Sequence, residues 1–258
     1  MMKLQELLYK VKILSVTGDT NIEISDVQFD SRKVKKQGLF VAIKGKISDG
    51  HKYIQDTIKD GVNAVVVEKM PIVLNEKITY IQVVNSYDTL AIISANFYKN
   101  PSERIKLVGV TGTNGKTTIV NLLHQLFSLL KKKVGMLSTV ENKILDKSYP
   151  STHTTPDPLQ INFMLNQMIQ KGCQYCFMEV SSHALSQGRV NGLHFVGGVF
   201  TNITQDHLDY HHTFKKYLNV KKFFFDSLNK EAFALINKDD KNSSKMLEGT
   251  NAKKLSYA

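Results

Sequence analysis

The hydrophobic pattern of the first hundred residues predicts short strands and two helices. Apolar runs broken by turns between residues 20 and 43 predict strands, and longer apolar runs at 62–69 and 78–84 predict two more. Apolar residues recur at helical spacing over 51–61, and again from a serine cap at Ser86 to about residue 100. A small α/β unit is therefore expected.

From Ile105 onward, buried strands alternate with longer amphipathic helices. Strands are predicted at 105–111, 133–139, 175–182, 196–204 and 231–238, and helices at 116–133, 159–172 and 213–228. This alternation predicts a mainly parallel sheet, with ligands at the carboxyl ends of its strands. The break at NPSER divides the chain into predicted domains 1–102 and 103–258, and the chain is expected to stop inside or just after the second domain.

Composition changes this α/β prediction little. The 258 residues, 42% hydrophobic and 22% charged, are typical of a soluble globular protein. The N-terminal run MMKLQELLYKVKILSV carries Lys10 and Lys12, which indicates an amphipathic helix and not a secretory signal, so a cytoplasmic location is expected.

The formal net charge of +11 raises the question of nucleic acid. The lysines are scattered and the chain has only Arg32, Arg104 and Arg189, whereas arginine is the usual residue for reading bases. A polyanionic small substrate, or an acidic segment elsewhere, explains the charge equally well. No nucleic-acid or membrane partner is expected.

Cys173 and Cys176 form a lone C-x-x-C. A redox pair is one interpretation, but Cys176 lies in the apolar run YCFMEV, which favours two buried structural thiols. No second cysteine pair completes a zinc site.

The sequence KLVGVTGTNGKTT joins a strand to a helix through a glycine-rich turn. In phosphate-binding loops, backbone N–H groups hold the phosphates, a lysine reaches the outer ones and a hydroxyl binds Mg²⁺. Gly112, Gly115, Lys116 and Thr117 supply these groups, although Val110 stands where the general pattern has glycine. The alternative is a tight turn without a ligand.

Two further polar segments follow predicted strands. Glu179 ends an apolar strand, and His183 comes four residues later. A carboxylate at that sheet edge suits Mg²⁺. The other segment, TNITQDHLDYHH, gathers Asn202, Asp206, His207, Asp209, His211 and His212. For these residues a functional site and a solvated loop are equally compatible with the spacing.

Two more segments carry polar side chains with more than one possible role. One is rich in hydroxyl groups and the other contains an arginine. In STHTTPD, Thr154 or Thr155 could cap the following helix or contact a polar substrate. In DSRKV, Arg32 could pair with Asp30 or hold a phosphate.

Together these segments resemble the Mur ligases, in particular the branch that forms the tripeptide of the peptidoglycan precursor. The resemblance is carried in order by DSRKV, GLFVAIKG, DGHKYI, GVTGTNGKTT, STHTTPD, MEVSSHAL, GRV, TNITQDHLDYH and YLNVKKFFF. It covers nearly the whole chain. The motif GTNGKTT alone would also suit a cyanophycin synthetase.

The resemblance implies a role for each matching position. It implies UDP-substrate contacts at Ser31, Thr154, Thr155, Ser181, Gln187 and Arg189. It implies an ATP loop formed by Gly112, Thr113, Asn114, Gly115, Lys116, Thr117 and Thr118. It implies Mg²⁺-site residues Thr117, Glu179 and His207, with Lys221 carbamoylated to N6-carboxylysine as a further ligand; Lys222 is the alternative in register. Lys116 and Lys221 are the implied catalytic residues.

The implied reaction uses ATP and Mg²⁺ to add diaminopimelate or lysine to UDP-N-acetylmuramoyl-L-alanyl-D-glutamate through an acyl phosphate. The partners are then that UDP-muramoyl dipeptide and a free amino acid; the oligomeric state is not readable, and a monomer is the default expectation. Alternatives are a cyanophycin or folylpolyglutamate type of ligase, a nucleotide-hydrolysing switch and a non-catalytic nucleotide-binding module. Two departures stand out: His211-His212-Thr213 replaces HGT, and the family's amino-acid-binding third domain is not matched.

Overall fold

The computed structural model describes residues 1–45 and 48–258, which form two compact units, Met1–Asn100 and Pro101–Ala258. The boundary predicted after residue 102 lies inside a short 3-10 helix, Pro101–Glu103, that begins the second unit. The chain is of the α/β class in both units, as predicted. Among the described residues, no helix combines the length and apolar composition that a bilayer crossing requires.

The first unit is built on a five-stranded sheet in the order β2-β7-β6-β5-β4. Its elements are β1 (Met2–Lys3), α1 (Leu4–Leu7), β2 (Ile13–Thr17), β3 (Glu23–Ile24), β4 (Val27–Gln28), β5 (Leu39–Val41), α2 (Ile54–Lys59), β6 (Ala64–Val67), β7 (Thr79–Val83) and α3 (Ser86–Phe97), with 3-10 helices Ser31–Lys33 and Gly50–Tyr53. Only the β2–β7 pair of this sheet is antiparallel. The wholly apolar β6 is buried, as a central parallel strand requires.

Two local predictions for the first unit were wrong in part. The N-terminal amphipathic helix ends at Leu7, because Lys10 takes a left-handed φ of 62° and Ile13–Thr17 instead pairs with β7. Helix α3 is capped by Asn85, whose Oδ1 accepts from the N–H groups of Tyr87 and Asp88, and not by Ser86. The buried Ser86 hydroxyl donates to Glu68 Oε1 at 2.7 Å.

The second unit is built on an eight-stranded sheet in the order β11-β10-β9-β12-β8-β13-β14-β15. Its elements are β8 (Lys106–Thr111), α4 (Lys116–Leu129), β9 (Val134–Leu137), β10 (Glu141–Ile144), β11 (Lys147–Pro150), α5 (Pro158–Gln170), β12 (Tyr175–Glu179), α6 (Ser182–Ser186), β13 (Gly197–Phe200), α7 (Leu208–His211), α8 (Phe214–Asp226), β14 (Phe233–Asn237), α9 (Ser243–Leu247) and β15 (Lys253–Tyr257). The sheet is parallel except for β10 and β11. This confirms the mainly parallel central sheet.

The pattern missed the hairpin β10–β11, the edge strand β15 and three short helices, α6, α7 and α9. The two strands of the hairpin and β15 carry mixed polar residues, and β11 and β15 are mostly exposed, so no apolar run marks them in the sequence. The register of the central strands then fixes the site. Glu179 lies opposite Val110, and Phe200 lies opposite Thr111, so β12, β8 and β13 end level with one another.

Candidate active site

A cavity of about 640 Å³ opens at the carboxyl ends of β8 and β12. Most of the residues that the sequence singled out line it together: Gly112, Thr113, Asn114, Gly115, Lys116, Thr117, Thr118, Thr154, Thr155, Glu179, Ser181, Arg189, His207 and Lys221. Gln187 does not line the cavity, and Ser31 belongs to the other unit. The structure thus gathers residues that lie more than 100 positions apart in the chain.

The segment between β8 and α4, residues 112–115, is called the glycine loop here. Its backbone conformation depends on two glycines. Gly112 has a φ of 155°, and a Cβ there would overlap Thr201 Oγ1. Gly115 has a φ of 84° and precedes the first residue of α4, which has no side-chain cap. The N-terminus of α4, where the first N–H groups of a helix have no partner within the helix, therefore stands at the cavity, which is the arrangement that favours an anion.

Two lysine side chains converge on this loop. Lys116 Nζ donates to the carbonyl oxygens of Gly112 (3.0 Å) and Thr113 (2.8 Å), and Lys221 Nζ donates to that of Gly112 at 2.9 Å. Lys221 is 1% exposed. Burial, reinforced by the charge of Lys116, lowers the pKa of Lys221 to about 7. Burial also lowers the pKa of Lys116, against the attraction of Glu179 and Asp206.

Glu179 is a fully buried carboxylate held by hydroxyl and amide donors. Its Oε1 accepts from Thr117 Oγ1 (2.9 Å) and from the Thr139 N–H (2.8 Å), and its Oε2 accepts from Thr139 Oγ1 (3.1 Å). Thr139 was missed by the sequence reasoning. It follows β9 at the same sheet edge as Glu179, and that strand-end position is the signal that could have identified it.

A cluster of imidazole and phenol rings lies beside the cavity, and His183, His207 and Tyr217 of this cluster line it. The His183 ring lies 4.8 Å from that of His207 and 4.3 Å from that of Tyr210, centroid to centroid. His211 is buried, 5.2 Å from the Tyr217 ring, and its Nε2 has no hydrogen-bond partner among the described atoms. Burial, with the nearby His183, His207 and Lys221 charges, lowers the pKa of His211 to about 4. The polar segment at 201–212 therefore contributes to the site and is not merely a solvated loop.

Tyr217 is the second residue that the sequence reasoning missed. It lines the cavity, its hydroxyl lies 3.0 Å from Thr113 Oγ1, and its ring faces Lys221 Nζ at 4.7 Å. It precedes Lys221 by four positions on α8, so both side chains project from one helix face. That spacing could have identified it.

Three of the residues expected to contact substrate already form hydrogen bonds within the protein: Thr155, Ser181 and Arg189. The buried Thr155 hydroxyl donates to Glu179 O at 2.8 Å and accepts from the Ser181 N–H at 3.0 Å, so it joins two loops. Ser181 caps α6 through Ala184 N–H. Arg189 donates to Thr155 O (2.7 Å) and to Gln187 Oε1 (2.8 Å). Gln187 therefore acts on the cavity through Arg189.

The structure bears on three alternatives that the sequence left open. Helix α5 is capped by Asp157, which accepts from Gln160 N–H at 2.9 Å, and not by Thr154 or Thr155. In the first unit, Arg32 pairs with Asp30 through two contacts of 2.9 Å. Ser31 begins the 3-10 helix that Asp30 caps. Cys173 and Cys176 are free and buried, and burial raises the pKa of both thiols.

The ligand groups around Glu179 suit Mg²⁺, whose coordination is completed by water and phosphate oxygens, better than a metal ion that is bound by protein side chains alone. A carboxylate and the Thr117 hydroxyl meet beside the glycine loop, whereas no group of three or more His, Cys, Asp or Glu side chains in residues 1–45 and 48–258 could hold a metal ion. Mg²⁺ commonly keeps several waters and uses one or two carboxylates plus substrate phosphates. His207 lines the cavity but is half exposed, and its Nε2 atom lies 3.5 Å from Asp206 Oδ2.

Comparison with known proteins gives matches along the whole chain. A sequence model of the Mur ligase middle domain matches residues 110–258, and one of the Mur ligase family catalytic domain matches 23–98. UDP-N-acetylmuramoyl-L-alanyl-D-glutamate–2,6-diaminopimelate ligases of Cytophaga hutchinsonii and Bacteroides thetaiotaomicron are 52% and 50% identical over the full chain, which covers 53% of each. A solved structure of a ligase of that name superposes with a TM-score of 0.81 at 28% identity, over 99% of this chain and 52% of its own. The chain thus spans about half the length of the curated relatives it matches.

Proposed function

This chain belongs to the Mur ligase family, and from that premise we propose that it carries the nucleotide and UDP-sugar sites of an ATP-dependent amide ligase. The proposed reaction joins diaminopimelate to UDP-N-acetylmuramoyl-L-alanyl-D-glutamate. Diaminopimelate is preferred to lysine because relatives about 50% identical are named for it. The observation that carries the proposal is the meeting of the glycine loop, Glu179 and Lys221 in one cavity.

The proposed chemistry activates a carboxylate. The substrate carboxylate oxygen attacks the γ-phosphorus of ATP, which gives an acyl phosphate and ADP, and the amine then displaces phosphate through a tetrahedral intermediate. Lys116 would swing from the loop carbonyls to the phosphates, and the α4 N-terminus would hold them. Thr117 and Glu179 would hold Mg²⁺, with His207 as a further candidate ligand. Mg²⁺ would supply neutralisation of phosphate charge.

Lys221 is proposed to be carbamoylated. A neutral amine attacks CO₂, forming an N–C bond and losing a proton, and the product is an anionic ligand. Because burial lowers the pKa of Lys221 to about 7, a large share of its amine is neutral at pH 7, unlike an ordinary lysine. Lys222, in contrast, forms an ion pair with Asp226 at 2.7 Å. With ¹³C-bicarbonate, NMR should detect a carbamate that Lys221→Arg removes and Lys222→Arg keeps; the opposite pattern would move the assignment to Lys222.

The substrate contacts are proposed in two groups. Ser31, in the first unit, would contact the UDP-sugar. Thr154, Ser181 and Arg189, which line the cavity, would contact the peptide, with Thr155 and Gln187 shaping their positions. A cytoplasmic enzyme without nucleic-acid partners remains our prediction.

The proposal is tested with a protein of the relatives' length. Purified enzyme should form the tripeptide product, detected by mass spectrometry, only with ATP, the UDP-muramoyl dipeptide and diaminopimelate together, and lysine should replace diaminopimelate poorly. Lys116→Ala should abolish product while leaving the circular dichroism spectrum intact. ATP hydrolysis independent of dipeptide and amine would instead indicate a hydrolase. For the 258 residues alone, we expect weak ADP binding and no ligation.

A further inference from the structure

Helix α8 contacts the glycine loop through two side chains that lie one turn apart. Lys221 Nζ donates to the Gly112 carbonyl oxygen at 2.9 Å, and the Tyr217 hydroxyl lies 3.0 Å from Thr113 Oγ1. Two consecutive loop residues are therefore each held by a residue of α8. The lysine contact belongs to the proposed chemistry, but the tyrosine contact has no role in it.

The hydroxyl of Thr113 is the centre of a small buried network. It accepts from the Thr204 N–H at 3.0 Å and lies 3.4 Å from the Thr204 carbonyl oxygen. The Tyr217 hydroxyl, at 3.0 Å, is the nearer of the two remaining partners, and either hydroxyl of that pair can be the donor. The Thr113 N–H donates in turn to Asn202 O at 2.9 Å. Residue 113 thus joins the glycine loop, the segment after β13 and α8.

The contact between the Tyr217 and Thr113 hydroxyls is shielded from bulk water. Tyr217 is 1% exposed and Thr113 is 9% exposed, so neither hydroxyl can exchange its partner for bulk water at no cost. A phenylalanine at 217 would keep the ring that packs against His211 and Lys221. Only the hydroxyl, and with it the contact to Thr113, distinguishes tyrosine from phenylalanine at this position.

We propose that Tyr217 is a positioning residue of the nucleotide site, whose hydroxyl holds the glycine loop in its phosphate-binding arrangement through Thr113. The inference rests on the proposed function, because it assigns the loop to a nucleotide phosphate. Tyr217 acts through the loop and contacts no reacting atom. Preorganised N–H groups bind an anion more tightly than groups that must first be ordered, so losing the hydroxyl weakens nucleotide binding and leaves the fold in place.

The test measures ADP affinity by calorimetry, with Mg²⁺ present, on the 258-residue chain. Tyr217→Phe should raise the Kd about 3- to 10-fold, the range of one lost neutral hydrogen bond. Thr113→Val should raise it at least as much, because it also removes the acceptor of the Thr204 N–H. Thr113→Ser should restore near-normal affinity, because serine keeps the hydroxyl. The double variant Tyr217→Phe/Thr113→Val should bind ADP no more weakly than Thr113→Val alone, because that single variant already removes the Tyr217 contact. Tyr175→Phe, which removes a hydroxyl at the amino end of β12, should bind like wild type.

A second measurement needs no nucleotide. Hydrogen–deuterium exchange of a peptide covering 111–118 should accelerate in Tyr217→Phe, while the peptide covering 158–170 should not change. An unchanged Kd and unchanged exchange in Tyr217→Phe, or fully additive effects in the double variant, would overturn the positioning role. Absence of ADP binding by the wild type would overturn the nucleotide assignment itself, and the positioning role with it.

Discussion

Lys116 and Lys221 donate to the same acceptor, the carbonyl oxygen of Gly112, at 3.0 and 2.9 Å. Two ammonium groups that share one buried acceptor repel each other, and the repulsion is one cause of the lowered pKa of Lys221. The other charge that acts on Lys221 is Asp206, which opposes the shift. Burial is the larger cause of the lowered Lys221 pKa, and the lysine pair adds to it at the residue proposed to react with CO₂.

Removal of the neighbouring charge should raise the Lys221 pKa. In Lys116→Met, the Coulomb repulsion is lost but burial remains, so the pKa should move upward from about 7 without reaching its ordinary value. The pH dependence of acetic anhydride labelling at Lys221, followed by peptide mass spectrometry, measures this shift. Lys222, which is paired with Asp226, serves as the internal reference. An unshifted profile would show that Lys116 does not act on Lys221.

Folding stability should rise with pH through the same group. The folded pKa of Lys221 is about 7 and the ordinary lysine pKa is 10.5, so between these values the unfolded chain binds more protons. Stability must then increase from pH 7 towards pH 10. Urea unfolding of metal-free protein in CO₂-free buffer should show this rise in wild type and a flatter profile in Lys221→Met. Parallel profiles for the two proteins would contradict the assignment.

Gly112→Ala should be more harmful than Gly115→Ala. Both positions have positive φ, but a Cβ at Gly112 would overlap Thr201 Oγ1, whereas a Cβ at Gly115 meets only Thr201 Cβ at 3.9 Å. We expect about 1 kcal/mol of lost stability for Gly115→Ala from backbone strain, and about 3 kcal/mol or more for Gly112→Ala. Chemical denaturation of the two variants measures the difference. Equal losses would mean that the steric contact is relieved at little cost.

Thr139→Val should weaken the hydrogen bonding that holds the Glu179 carboxylate in place. The substitution removes the 3.1 Å bond from Oγ1 but keeps the 2.8 Å bond from the backbone N–H. A hydrogen bond to a charged group contributes about 1.5–3 kcal/mol, so a loss of that order in stability is expected. ADP affinity should fall with Mg²⁺ present but change little with EDTA, and Thr139→Ser should behave like wild type. An equal loss with and without Mg²⁺ would indicate that Glu179 has no role in metal binding.

Strong local patterns were sufficient for several parts of the molecule. The apolar strand KLVGVT, the glycine turn and the following amphipathic helix predicted β8, the loop and α4, because each depends on residues adjacent in sequence. The strand YCFMEV likewise placed Glu179 at a sheet edge. The hairpin at 141–150 escaped notice because its polar strands gain their order from pairing with β9 and with each other.

The sequence by itself therefore determined the α/β class, the glycine loop and the identity of the chemical groups near it, since periodicity and backbone-specific residues act locally. Only the tertiary structure decided which groups meet. The parallel register sets Glu179 level with Val110, the packing of α8 brings Tyr217 and Lys221 to residues 112 and 113, and burial lowers the pKa of Lys221. Distances across a sheet and desolvation depend on the packed chain, and no single segment encodes them.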